Sequence, residues 1–133
     1  MSAAKKAGEL SGVFIIGAIG FGLCEILCRG RTHWSMLLAG GICFLWFYTA
    51  EKKYHVLPLF YRCLNGSILI TSVEFVFGCI FNIALGFSVW DYSDLPLNIM
   101  GQICLRFTVI WALFCIPLSF LCAKIRSAVY RYF

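Results

Sequence analysis

The chain has 133 residues, 62% of them hydrophobic and 13% charged, with a formal net charge of +5. Soluble domains carry roughly 25% charged residues, so this composition excludes an ordinary water-soluble globule. The positive charge sits at the ends of apolar blocks, where it serves membrane topology and contact with anionic lipid heads, and does not point to nucleic acid.

A helix needs about 20 apolar residues to cross the hydrocarbon core. Blocks of suitable length lie at about 10–28, 34–50, 66–87 and 103–123. Lipid offers the backbone no hydrogen-bond partners, so each block is expected to be helical. The expected fold is all-α: one domain over 1–133, an integral membrane bundle of four transmembrane helices.

Lys5 and Lys6 before the first block resemble the start of a signal peptide. Gly20-Phe21-Gly22 is a poor cleavage site, however, and more apolar sequence follows before Arg29 and Arg31 close the block. A retained first span is expected. Within it Ala18, Gly22, Glu25 and Arg29 form a small and polar strip. The second block is the shortest, so it must stand upright, thin the bilayer or recruit its flanks.

The connection at 51–65 mixes charges with Val, Leu, Phe and Tyr, which suits the membrane interface. Pro58 fits the first turn of a helix, so the third helix is expected to start near Leu59 and to enter the membrane after Arg62. His55 reads as an interfacial polar residue, and Cys63 as the one cysteine clearly in a loop. The other cysteines fall inside blocks, which argues against a disulfide framework; Cys24 and Cys28 read as packing residues rather than a metal site.

The third block carries Glu74, Gly78, Asn82 and Gly86 at four-residue spacing, a polar and small face that must look into the bundle. Glu74 falls near the mid-plane, where neither Arg29 nor Arg106 matches its depth. Glu25 and Arg106 lie at similar depth in the outer half, together with Asn82, and an ion pair between them is expected. Intramembrane polar residues cost about 2.5–3.5 kcal/mol each on insertion scales. They act either as packing glue or as a path for an ion or small polar solute, and both readings stand for Glu74. Pro117 is expected to kink the fourth helix.

Lysines and arginines place 1–9, 51–65 and the C-terminal segment on one side, so both termini are expected in the cytoplasm. Phe21-Gly22, Gly30, Thr32 and Trp34 recur at one constant offset as Phe77-Gly78, Gly86, Ser88 and Trp90. That pattern is compatible with a parallel two-helix repeat.

The loop "VWDYSDLPLNIMGQ" between the third and fourth blocks is then external. Trp90 and Tyr92 suit an interfacial aromatic belt, and Asp91, Ser93 and Asp94 are available to cap or bind. Pro96, Asn98 and Gly101 fit turns, and a turn followed by a short interfacial helix is expected. On Glu74-Phe75, Gly78, Asn82, "WDYSD", Pro96, Asn98, Gly101, "ICL" at 103–105, Phe107 and Trp111, the sequence resembles the type IV ABC-transporter permease (CmpB-like) family of small bacterial membrane proteins. The first half is similar more loosely, through Glu25, "RGRTHWSM" and Gly40-Gly41. Arg106 departs from the family pattern, which has an uncharged residue after "ICL".

The resemblance implies a permease-like, non-enzymatic subunit of a transport complex in the bacterial cell membrane. There is no phosphate-binding Walker A motif, so any ATPase must be a separate ATP-binding subunit docking near 51–65. Four spans enclose little space, so a homo-oligomer or hetero-complex in the lipid bilayer is expected. The competing reading is a small oligomeric pore-forming or regulatory protein, holin-like in kind. An intramembrane enzyme is a third: no serine–histidine pairing or metal cluster supports it, and no catalytic residue, cofactor or metal is assigned.

Overall fold

The computed structural model describes residues 2–132; Met1 and Phe133, the ends of the expected domain, lie outside them. Four long helices form in the expected order: α1 (Ala3–Arg29), α2 (Trp34–Tyr54), α3 (Leu59–Phe77) and α4 (Leu105–Tyr132). Helix α1 opens on Ser2, whose hydroxyl accepts from the Lys5 N–H at 3.2 Å, and closes on Gly30 at φ 74°, whose N–H returns to Ile26 O. Only glycine takes that left-handed closing position without steric cost. Helix α2 starts at His33, where the ring Nδ1 accepts from the Ser35 N–H. Pro58 caps α3 at φ −55°, as its ring geometry favours.

Helices α1, α3 with its extension, and α4 are long and apolar enough to cross a membrane. Helix α2 falls short of them in apolarity, and the reason is its place in the fold. It packs on α1, α3 and α4, and buries Ser35, Met36, Ala39, Gly40, Gly41, Phe44, Phe47, Tyr48 and Glu51. A helix that faces protein on most sides has less need of a lipid-compatible surface.

The crossing of α1 and α2 rests on glycine. A Cβ added at Gly17 would lie 2.5 Å from Phe44 Cβ and 2.9 Å from Gly40 O; one at Gly40 would lie 2.6 Å from Phe21 Cβ. Beyond this crossing, Val13, Phe44, Phe47, Tyr48, Cys63, Cys115 and Cys122 make the main apolar core. Cys63 therefore belongs to α3 and is buried, against the expectation of a loop: the helix begins at Leu59, one turn earlier.

Helix α3 does not run as a plain α-helix to 87. It passes into a π-helical segment, Gly78–Ala84, and the chain leaves helical form after it. The wider turn breaks the four-residue spacing: Glu74 and Gly78 are buried, Asn82 is half-buried, and Gly86 lies outside the helix, exposed, at φ 69°. The loop likewise forms a β-hairpin where a short helix was expected. Strand β1 (Asn98–Ile99) pairs antiparallel with β2 (Ile103–Cys104). Met100 and Gly101, at φ 56° and 71°, turn the chain, and the Gln102 N–H reaches Ile99 O at 3.1 Å. Two successive positive-φ residues are the signature of a tight hairpin turn. Residues 103 and 104 are thereby taken from the start of the fourth helix.

The α1–α2 crossing leads to a prediction about stability in detergent. Gly40→Val forces Phe21 and the Gly17 backbone outward and should cost about 1–3 kcal/mol. Gly20→Ala, where an added Cβ meets nothing within 4 Å, should stay within about 0.5 kcal/mol. Thermal unfolding that responds equally to both would remove the crossing from its central role.

Candidate functional site

All the glutamates of the chain are buried: Glu9, Glu25, Glu51 and Glu74. A carboxyl removed from water needs partners, and three of these have a cation of their own. Glu9 pairs with Lys52 at 2.8 Å and accepts the Tyr48 hydroxyl; Glu25 pairs with Arg29 at 3.0 Å; Glu51 pairs with Arg62 at 2.8 Å and accepts from Ser119 Oγ. The Glu9 and Glu51 clusters tie together the N-terminal ends of α1 and α3, the end of α2 and the middle of α4.

Glu74 is built differently. Its Oε2 accepts the Tyr92 hydroxyl at 3.0 Å and its Oε1 the Trp111 indole N–H at 3.4 Å. Both donors are neutral, and among the described residues no cation pairs with it. Burial pushes the Tyr92 phenol up, and the neighbouring Glu74 carboxylate adds to that shift, so the hydroxyl stays protonated and donates.

Beneath this carboxyl lies a cavity of about 280 Å³ whose walls come from all four helices. Trp90 and Trp111 stand near Glu74, and Phe21, Phe44, Phe47 and Phe114 line the sides. Of the lining residues of α2 and α3, Ala39, Phe44, Phe47 and Val73 are buried, and Cys43 and Ile70 half-buried. By contrast Ile16, Gly20 and Cys24 on α1, with Phe114 and Leu121 on α4, are exposed. The cavity thus opens sideways between α1 and α4.

The loop over the cavity is held by Gln102. This buried side chain accepts from Asn82 Nδ2 at 2.8 Å and donates to Met100 O at 3.0 Å, while its backbone carbonyl accepts the Trp90 indole N–H at 2.9 Å. Gly78 leaves the room it needs, since a Cβ there would come within 2.5 Å of Gln102 Oε1. Asn82 completes the link by accepting the Val89 N–H through Oδ1 at 2.6 Å. Lower in the loop, Asp91 accepts from the Ser93 N–H and hydroxyl, Asn98 bridges Leu95 O and the Gly101 N–H, and Gly101 O accepts the Tyr92 N–H. The ring of Tyr92 stacks on Phe107, with centroids 4.7 Å apart.

The candidate residues thus divide. Glu74, Asn82, Trp90, Asp91, Tyr92, Ser93, Asn98 and Gly101 join one network. Asp94 and Pro96 are exposed, at the turn. Glu25 does not meet Arg106; it pairs with Arg29 one turn along its own helix, and the second Arg29 nitrogen donates to Val89 O at 3.0 Å. Arg106 is exposed on α4. Similar depth could not say which way each side chain faces. A second pocket, about 170 Å³, lies beside this pair and is lined by Arg31, Thr32, His33 and Ser88 among others.

Gln102, Glu9, Glu51 and the part played by Trp111 were not singled out from sequence. Glu9 and Lys52, like Glu51 and Arg62, stand at block ends, so opposite charges at matching ends were a usable signal. Gln102 offered none, because one glutamine beside a turn glycine has no distinctive spacing.

Residues 11–132 match the family described as "Putative ABC-transporter type IV". No curated protein and no solved structure matches the chain.

Two outcomes check this geometry. Tyr92→Phe should cost about 1 kcal/mol or more, and the cost should largely vanish in a Glu74→Met background, which has no carboxyl or amide oxygen to accept the hydroxyl; strict additivity would mean that loop and carboxyl are uncoupled. The second concerns acid. The Ser93 hydroxyl and N–H hold the Asp91 carboxyl below the usual aspartate range. Its contribution to loop order is therefore present above the ordinary aspartate value and lost as pH falls through the lowered one. Trp90 fluorescence should show this acid transition in the native chain and not in Asp91→Asn.

Proposed function

The chain belongs to this type IV ABC-transporter family, and we propose that it is the non-enzymatic, permease-like membrane subunit of a transport complex. In this reading all four helices span the bacterial cell membrane and both termini face the cytoplasm. The observation that carries it is the cavity among the four helices, capped at one end by a loop bonded to Glu74. A purely structural bundle has no need of such a space beneath an ordered cap.

The polar residues above the cavity satisfy one another, and the walls below are apolar. That arrangement supports a capped chamber rather than an open polar channel for ions. Opening would require Tyr92 to release Glu74 and the hairpin to lift. The energy must come from elsewhere, and the segment joining α2 to α3 supplies a docking face for an ATP-binding subunit. Val56, Leu57, Phe60 and Tyr61 are exposed there, beside Lys52 and Lys53. Arg62 braces the segment by donating to Leu57 O at 3.0 Å and to Glu51.

Purification of the tagged chain in mild detergent, from cells that also produce the organism's ATP-binding cassette proteins, tests the complex. One such protein should co-purify, and Phe60→Glu should reduce its recovery about tenfold or more, as the loss of a buried aromatic anchor would. Recovery of a homo-oligomer alone that conducts ions in planar bilayers would favour the pore-forming alternative. For orientation, a cysteine at Ser93 in a cysteine-free background should label from outside the cell and one at Lys53 should not. The reverse pattern would invert the topology.

A further inference from the structure

Three of the buried glutamates contain their own counter-cation, and the fourth does not. Glu9, Glu25 and Glu51 pair with Lys52, Arg29 and Arg62 at 2.8–3.0 Å. Among the described residues, Glu74 receives only a phenol and an indole N–H, and the cavity it faces has no lysine, arginine or histidine in its lining. Aromatic faces surround that space: Phe21 lies 6.3 Å from Trp111, and Trp111 lies 6.4 Å from Phe114, between ring centroids. A carboxylate at the head of an aromatic chamber complements a positive charge carried on an apolar body, because ion pairing and cation–π attraction both strengthen where water is excluded.

We propose that the cavity binds a lipophilic cation, an ammonium on an apolar chain or ring system, with the ammonium donating to Glu74 and the apolar part held among the aromatic rings. The inference rests on the transport reading for its purpose but not for its chemistry. Entry is lateral, between α1 and α4, where the lining residues are exposed. Size agrees: an apolar cavity of about 150 Å³ accommodates benzene, and this one is about 280 Å³. A neutral alcohol of the same chain would fill the space but leave the carboxylate without a cation. A fatty carboxylate would set two like charges together.

The test uses the purified full chain in lipid nanodiscs, without any partner subunit. The probes are n-octylammonium, n-octanol and octanoate, followed by saturable change in tryptophan fluorescence, since Trp90 and Trp111 both line the cavity. Octylammonium should bind about tenfold or more tightly than octanol, and octanoate should show no saturable binding. Glu74→Gln should abolish the preference for the amine over the alcohol. Gly20→Leu extends into open space, because nothing lies within 4 Å of an added Cβ there; it should keep the fold and weaken amine and alcohol alike. If Glu74→Gln does not fold, the native amine-to-alcohol ratio and Gly20→Leu still decide. Equal affinity for amine and alcohol in the native chain, or unchanged affinity in Gly20→Leu, would overturn the proposal. Neither result would bear on co-purification with an ATP-binding subunit, so failure here is distinguishable from failure of the transport reading.

Discussion

The hydrogen bond from the Tyr92 hydroxyl to Glu74 is the contact through which the loop and the bundle become one structure. A carboxyl buried between apolar helices is costly unless donors reach it. Here one donor comes from the loop and the other, Trp111, from α4. The loop is thereby drawn down onto the helices instead of standing in solvent. Tyr92 can reach only because the chain turns back through Trp90, whose indole is fixed by Gln102 O, and because Tyr92 itself stacks on Phe107. Polar satisfaction at one atom pair thus organises the hairpin, the cap and the upper wall of the cavity.

The same requirement explains the π-helical segment. An α-helix continued through Gly78–Ala84 would keep Asn82 in line with Glu74 and Gly78. The wider turn instead lets its amide serve both Gln102 and the Val89 N–H. π-Helical turns are uncommon and concentrate where a side chain must be re-aimed. At the other end of the bundle, Glu9 with Lys52 and Glu51 with Arg62 and Ser119 fasten the helices by side-chain pairs. The two ends therefore differ in kind: one is clamped by ion pairs, the other closed by a hydrogen-bonded loop over a carboxyl that has no cation among the described residues.

The helix contacts place the cavity where it is. Glycines at 17 and 40 bring α1 hard against α2, and α3 packs on α4, while α1 and α4 touch little. The space between those two helices is the lateral mouth. Exposed Ile16, Gly20, Phe114 and Leu121 at its edge present an apolar rim, so a solute held in hydrocarbon meets no polar barrier on entering.

Much of the architecture was legible in the chain itself. Lipid solvation imposes helices on long apolar blocks, so helix number and order follow from composition. Pro58 marked the start of α3 through a backbone rule that acts within a few residues. The membership in the transporter family was likewise carried by a local run, "WDYSD" with its flanking residues. What the tertiary structure decided was which polar atoms meet. Depth along two helices suggested Glu25 with Arg106, but rotation about each helix axis is set by packing: it leaves Arg106 exposed, and Glu25 takes Arg29, four residues on along its own helix. The β-hairpin, the π-helical turn and the part played by Gln102 arise from hydrogen bonds between residues as much as 20 apart in sequence, for which no local pattern exists. The cavity is further still from the sequence, because an empty volume belongs to no residue: it exists only where four helices, each following its own local rules, fail to close.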